Sequence, residues 1–306
     1  MTWFLIALVA PFLWAIVNIA DQYLIANYSE REKERSSGGL VIFSSIIGIF
    51  IALLILIFTS DVFNIPFSDK VLLIVAGALT ISWIILYLYT LEIEEVSNVI
   101  PWFLMVPVFG YIFGYLFLGE TLSTHQSTGS LVIFSGLILI STNFKEGKKY
   151  FKRKLALYMI YASVLIAISG ILFKYVTVEN NFWISSFWEY LGLGITGLLI
   201  FLFIPKHRNE FLYMHKKGGR KIFFVNVISE LMSITGNLLT NFALLLAPVT
   251  LVYMVGSFQP AIVLVLAIFG TKFFPKIIKE DVSKRILIPK IIAIILITTG
   301  SIFLFL

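Results

Sequence analysis

One apolar stretch of this 306-residue chain carries Asn226, Glu230, Ser233, Asn237 and Asn241. The steps between them are 4, 3, 4 and 4 residues, which put all five on one face of an α-helix. Lipid offers such groups no hydrogen-bond partner, so the face must look into protein or a water-filled space. Counting about 1.5 Å per residue, Glu230 lies roughly 12 Å inside the stretch. An ionisable group at that depth costs ~2.5–3.5 kcal/mol unless it is hydrated or paired. The chemistry open to this face is reversible binding. Amides and hydroxyls can hold a polar solute, and a carboxyl group can take up and release a proton. The other reading of Glu230 is a carboxyl hydrogen-bonded between helices.

Further candidates share the same periodic logic. Trp14, Asn18, Asp21 and Gln22 form a shorter stripe, in which Asn18 is a cavity candidate. Asp21 sits near a helix end, where reaching the headgroups serves equally well. Thr80, Trp83, Tyr87 and Thr90 follow at steps of 3, 4 and 3. Trp188 and Glu189 suit an outward vestibule, with Glu189 as a second proton site; an interfacial anchor cluster fits them equally. Trp102, Tyr253 and Gln259 complete the candidate lining. Pro101, Pro107 and Pro260 each free a carbonyl and are hinge candidates. Lys174 reads as a snorkelling end residue, with attraction of an anionic substrate as its other reading, and the acidic run Glu92, Glu94, Glu95 as a solvated turn.

Several chemistries lack their residues. The chain has no cysteine. His125, His207 and His215 are dispersed among connections, so no metal cage is indicated. No phosphate-binding G-x-x-x-x-G-K-[ST] loop occurs. No cofactor is expected, and no acid-base pair suggests catalysis. An enzyme acting on a lipid or polyprenyl substrate, or a non-transporting sensor or scaffold, remains as an alternative to a carrier.

The elements that must position these groups follow from composition. Apolar residues make up 59% of the chain and charged residues 13%, with a mean hydropathy of +0.97. A soluble protein carries roughly 45–50% and ~25%, so the bilayer is the expected solvent. Ten apolar segments are expected as helices: 3–24, 39–59, 70–90, 96–118, 126–143, 155–176, 183–204, 222–245, 248–270 and 286–306. The longest connection, 205–221, reads as interfacial.

Of the 23 Lys and Arg residues, all but Lys70, Lys174 and Lys290 lie in the connections after segments 1, 5, 7 and 9. Basic residues stay cytoplasmic during insertion. The net charge of +6 is therefore a topology signal, not a nucleic-acid signal. Both termini are expected outside the cytoplasm, in the plasma membrane. The expected partners are a small-molecule substrate and the lipid bilayer. Nothing sets the oligomeric state, and a monomer is consistent with the sequence.

The chain also repeats itself. The stretch from Tyr89 to Gly119-Glu120 aligns with that from Phe242 to Gly270-Thr271, placing Val96 on Val249, Ser97 on Thr250 and Pro107 on Pro260. The shift is 153 residues, half of 306. Basic connections in one half fall opposite connections nearly free of Lys and Arg in the other, so an odd number of spans per copy inverts the second. The expected fold is an all-α integral membrane protein of ten transmembrane helices, arranged as two inverted five-helix repeats. Its units are residues 1–144, a basic cytoplasmic linker at 145–154, and residues 155–306.

With its Trp14-Ala15 pair, the Tyr89–Val99 approach to the fourth helix, Pro107 and Gly119-Glu120, the chain resembles EamA-type members of the drug/metabolite transporter superfamily. The second half departs from that pattern, with Thr271 where a carboxylate is expected. The resemblance implies a secondary carrier, most often an exporter of amino acids, metabolites or drugs.

Overall fold

A chain immersed in lipid must satisfy its peptide groups internally, which leaves helices as the natural form for continuously apolar segments. The computed structural model describes residues 2–27, 37–94, 96–141, 153–273 and 284–303. Among these, the regular structure is entirely helical: α1 Thr2–Asn27, α2 Gly38–Phe58, α3 Phe67–Ile93, α4 Val96–Val99, α5 Val106–Leu118, α6 Thr124–Ser141, α7 Arg153–Thr177, α8 Phe182–Phe203, α9 Pro205–Leu246, α10 Val249–Val255, α11 Gln259–Phe273 and α12 Lys284–Phe303. Most of the basic linker expected at 145–154 lies outside the described residues.

Among the described residues, eight helical segments are long and apolar enough to cross a membrane. Ten were expected, and α6 and α12 are the two outside this set. In α6 the opening Thr124-His125-Gln126-Ser127-Thr128 dilutes the apolar length. Large apolar side chains face outward along the spans, with Phe58 81% and Phe203 76% exposed. In lipid, such exposure is the ordinary state of a helix face.

Two spans are broken in the same way. A 3₁₀ stretch, Ile100–Met105, separates α4 from α5, and another, Gly256–Phe258, separates α10 from α11. Both α10 and α11 begin 153 residues after α4 and α5, the shift at which the sequence repeats. Pro101 lies in the first stretch, while Pro107 and Pro260 open the helices that follow the breaks. Proline cannot donate to the preceding turn, so it is tolerated where a helix restarts.

Helix α3 packs between α7 and α8, α2 lies against α8 and α9, and α1 lies against α9 and α11. The first part of α9 turns into its spanning part at Gly219, whose φ of 55° and ψ of −148° are backbone angles open in practice only to glycine. The stretch read as an interfacial connection is thus helical from Pro205.

Two carboxylates hold the start of α2. Glu92 accepts from the Ser37 N–H at 2.8 Å and the Ser37 hydroxyl at 2.7 Å, and Glu210 accepts from the Gly38 N–H at 2.9 Å. Unpaired N–H groups and the helix dipole favour negative charge there. This corrects the solvated-turn reading: Glu92 is a helix cap, and Glu94 is buried.

Candidate functional site

The polar stripe of α9 faces a cavity of about 160 Å³ between the helices. A water needs ~10–15 Å³ of such space, so the cavity admits a small organic molecule or a chain of waters. Its wall draws on both halves of the chain. Trp14, Asn18 and Asp21 come from α1, Ser44 from α2, and Thr80, Trp83 and Tyr87 from α3. The second half supplies Glu189 and Tyr190 from α8, Glu230, Ser233, Asn237 and Asn241 from α9, Tyr253 from α10 and Gln259 from α11.

Hydrogen bonds run across the cavity wall in one direction. Gln259 Nε2 donates to Asn18 Oδ1 at 2.6 Å, Asn18 Nδ2 donates to the Tyr87 hydroxyl at 2.7 Å, and that hydroxyl donates to Asp21 Oδ2 at 3.2 Å. This chain links the restart of α11 to a carboxylate of α1 through α3. Ser44 on α2 donates to Glu230. Asn241 donates to Glu189 at 2.8 Å. The Trp14 indole donates to the Ser233 carbonyl at 3.3 Å. Tyr253 wedges between Gly110 and Gly170 and donates to the Ile166 carbonyl at 3.2 Å. A side-chain ring fits there because neither glycine carries a Cβ.

Asn18 is the junction of this chain. Replacing it with leucine removes the acceptor for Gln259 and the donor to Tyr87, both buried. An orphaned buried polar group costs about 1–3 kcal/mol. Asn18→Leu is expected to lose about 2 kcal/mol of stability, read as a lower thermal midpoint in detergent. An unchanged midpoint would mean that cavity water takes over both bonds.

The cavity collects most residues singled out by spacing, and Gln22, Thr90, Trp102, Trp188 and Asn226 lie outside its wall. Trp188 is not in the wall. Its indole donates to the Val62 carbonyl in the α2–α3 connection at 2.8 Å, and its ring packs on Phe63 and Phe187. Trp102 packs against the main apolar cluster instead, beside residues such as Ile100 and Met159. Asn226 shares the α9 stripe but lies beyond the cavity, buried, with its Nδ2 unpartnered. Asp21, read as serving a headgroup role equally well, is a wall residue only 9% exposed.

Lys174 is a second correction. It does not snorkel: its ammonium pairs with Glu120 at 2.6 Å, and the two side chains are each 13% exposed. It also donates to the Ala247 carbonyl at 2.8 Å, while the other Glu120 oxygen accepts the Val249 N–H at 2.7 Å. Gly119 ends α5 with a φ of 65° and lets the Glu120 N–H return to the Gly114 carbonyl at 3.1 Å. One ion pair thus ties the end of α5 to α7 and to the turn between α9 and α10.

Among the described residues, no group of His, Asp and Glu is gathered closely enough to hold a metal ion. Residues 1–142 match the EamA-like transporter family. No curated protein matches the chain. A protein of known crystal structure is similar over 99% of this chain and 96% of its own, with a TM-score of 0.59 and 15% identity. At that identity the likeness is one of fold.

Proposed function

Because the chain is an EamA-type, multi-pass membrane transporter of the drug/metabolite transporter superfamily, we propose that it is a secondary active carrier, an exporter of small polar or amphipathic molecules. In this reading, ten helices form two inverted five-helix repeats, with both termini outside the cytoplasm of a plasma-membrane protein. The repeats rock about a central site so that it opens to one side at a time. The observation that carries the reading is a cavity walled by both halves and crossed by the Gln259–Asn18–Tyr87–Asp21 chain. Pro101, Pro107 and Pro260 sit at the two helix breaks, where rotation costs the fewest backbone hydrogen bonds.

Protons are the proposed driving ion, taken up at Glu230 with Glu189 as the second site. Both carboxyls face the cavity and have neutral hydrogen-bond donors. Such groups inside a membrane mark ion pathways by default.

The absence of native cysteine allows a direct test. A Ser233→Cys variant in oriented proteoliposomes is treated with a membrane-impermeant maleimide from each side. Alternating access requires labelling from both sides, in proportions that shift when a pH gradient is imposed. Adding Glu230→Gln abolishes the shift while leaving the thiol reactive. Labelling from one side alone under every condition would sink the carrier reading. A shift that survives Glu230→Gln would remove Glu230 as the coupling site.

A further inference from the structure

We propose that the cavity takes an organic cation, an ammonium group carried on an apolar or aromatic body. This inference rests on the carrier reading and names the substrate class of the same site. Three carboxylates, Asp21, Glu189 and Glu230, line the cavity, and no Lys, Arg or His joins them among the described residues. Each accepts one side-chain hydrogen bond, from the neutral donors Tyr87, Asn241 and Ser44 respectively. A neutral donor orients a carboxylate but leaves its charge uncompensated.

The rest of the protein supplies the contrast. The buried carboxylate of Glu120 has Lys174 at 2.6 Å, and that of Glu210 has Lys206 at 3.8 Å. At these two places, then, an acid withdrawn from solvent is given a protein cation. The cavity acids are left for a cation that arrives from outside the chain.

The aromatic wall indicates what kind of cation. Trp83, Tyr87 and Phe103 face the cavity with ring centroids 5.5 to 6.4 Å apart, inclined at 44° to 89° to one another. Aromatic faces arranged around an acidic pocket suit alkylammonium groups. The dispersal of the three acids excludes a metal-ion cage among the described residues. Tyr190, a wall residue 2% exposed, has no partner for its hydroxyl, and Asn237 lies near it outside hydrogen-bonding geometry. That hydroxyl is available to a polar group on the body of the guest. An anionic guest would meet three acids and no base.

The same arrangement couples the guest to protons. Acids without a protein counter-charge are neutralised either by protons or by the guest. The cation therefore binds as protons leave and departs as they return. The titratable groups facing one another across the cavity are Asp21, Tyr87, Glu189, Tyr190, Glu230 and Tyr253.

The test uses four probes that share one aromatic body: 2-phenylethylamine, phenylalanine, 3-phenylpropanoate and 2-phenylethanol. Binding to the full chain in nanodiscs is measured by calorimetry. The amine is expected to bind about tenfold or more tighter than the alcohol and the propanoate, with phenylalanine between. Acidification weakens the amine and leaves the alcohol unchanged. Glu230→Gln and Asp21→Asn each erode the amine's advantage while alcohol binding persists, which shows that the variants are folded. Propanoate binding as tight as the amine, an amine advantage untouched by either variant, or no binding by any probe overturns the proposal. The carrier reading is judged separately, because maleimide access at position 233 needs no ligand.

Discussion

Replacing Lys174 with methionine is expected to cost about 3–5 kcal/mol of stability, because it leaves one member of a buried ion pair uncompensated. Lys174 is the only ammonium on Glu120 among the described residues, and both side chains are 13% exposed. Without it, the Glu120 carboxylate retains the Val249 N–H at 2.7 Å. The Ala247 carbonyl loses its 2.8 Å donor at the same time. Methionine has similar length and no charge, so packing along α7 is largely preserved and the loss reports electrostatics. The second arm is Lys174→Met combined with Glu120→Gln. Removing both charges restores neutrality, so the pair should lose clearly less than the sum of the single changes, with a coupling of about 2 kcal/mol. The measurement is thermal or denaturant unfolding in detergent. Additive single effects would mean that the two groups do not depend on each other.

This pair also shows where sequence reasoning runs short. Lys174 and Glu120 are 54 residues apart, on segments that helical periodicity treats independently. Taken alone, a lysine at the end of a span has an adequate explanation in snorkelling, and only the fold brings Glu120 to it. The α9 stripe was legible because its periodicity is local: Glu230, Ser233, Asn237 and Asn241 reach one wall by helix geometry. Asn226 obeys the same rule and still misses the cavity, since α9 continues past the cavity's end. Trp188 was left between a vestibule and an anchor cluster for a related reason. Its position on α8 suits an opening, but its indole N–H finds the Val62 carbonyl in a connection whose path no periodicity describes. Asp21 depended on Tyr87, a partner 66 residues away.

The helix breaks were the most legible part of the fold, and the reason is covalent. Proline cannot donate in any context, which favours the places where the helical ladder stops or restarts, as at Pro101, Pro107 and Pro260, although Pro11 and Pro289 lie inside α1 and α12. The repeat shift then carried the break from one half to the other, and α11 begins 153 residues after α5. The number of spans was less legible. The apolar count of α6 suggested a crossing helix, and its polar first turns leave it outside the eight described segments that are long and apolar enough to cross a membrane. The helix earns its place by packing along α12, where Gly300 lies against the Ile133 backbone.

Substituting Gly77 with alanine is expected to cost about 3 kcal/mol, the upper end of the range for overpacked interiors. Helices α3 and α8 cross at Gly77 and Gly192 with backbones in contact. A Cβ on Gly77 would collide with the Glu189 carbonyl oxygen and lie 2.5 Å from the Leu193 nitrogen. A Cβ on Gly192 would collide with the Ile74 carbonyl and lie 2.6 Å from the Ile74 Cα. These neighbours are main chain, so no rotamer change relieves the clash and the helices must separate. Small residues at a crossing permit this approach, and van der Waals packing is what holds helices together in lipid. Glu189 supplies one of the colliding carbonyls, so the strain falls on a cavity carboxylate as well as on stability. Gly192→Ala should cost a similar amount. The double variant should cost less than the sum, because one separation accommodates both methyl groups. Gly256→Ala is the control: nothing lies within 4 Å of its would-be Cβ, and its φ of −56° suits any residue. There alanine should be neutral or stabilise by about 0.4–1 kcal/mol through the unfolded state. Unfolding midpoints in detergent decide the matter, and equal midpoints for Gly77→Ala and Gly256→Ala would disprove the backbone contact between α3 and α8.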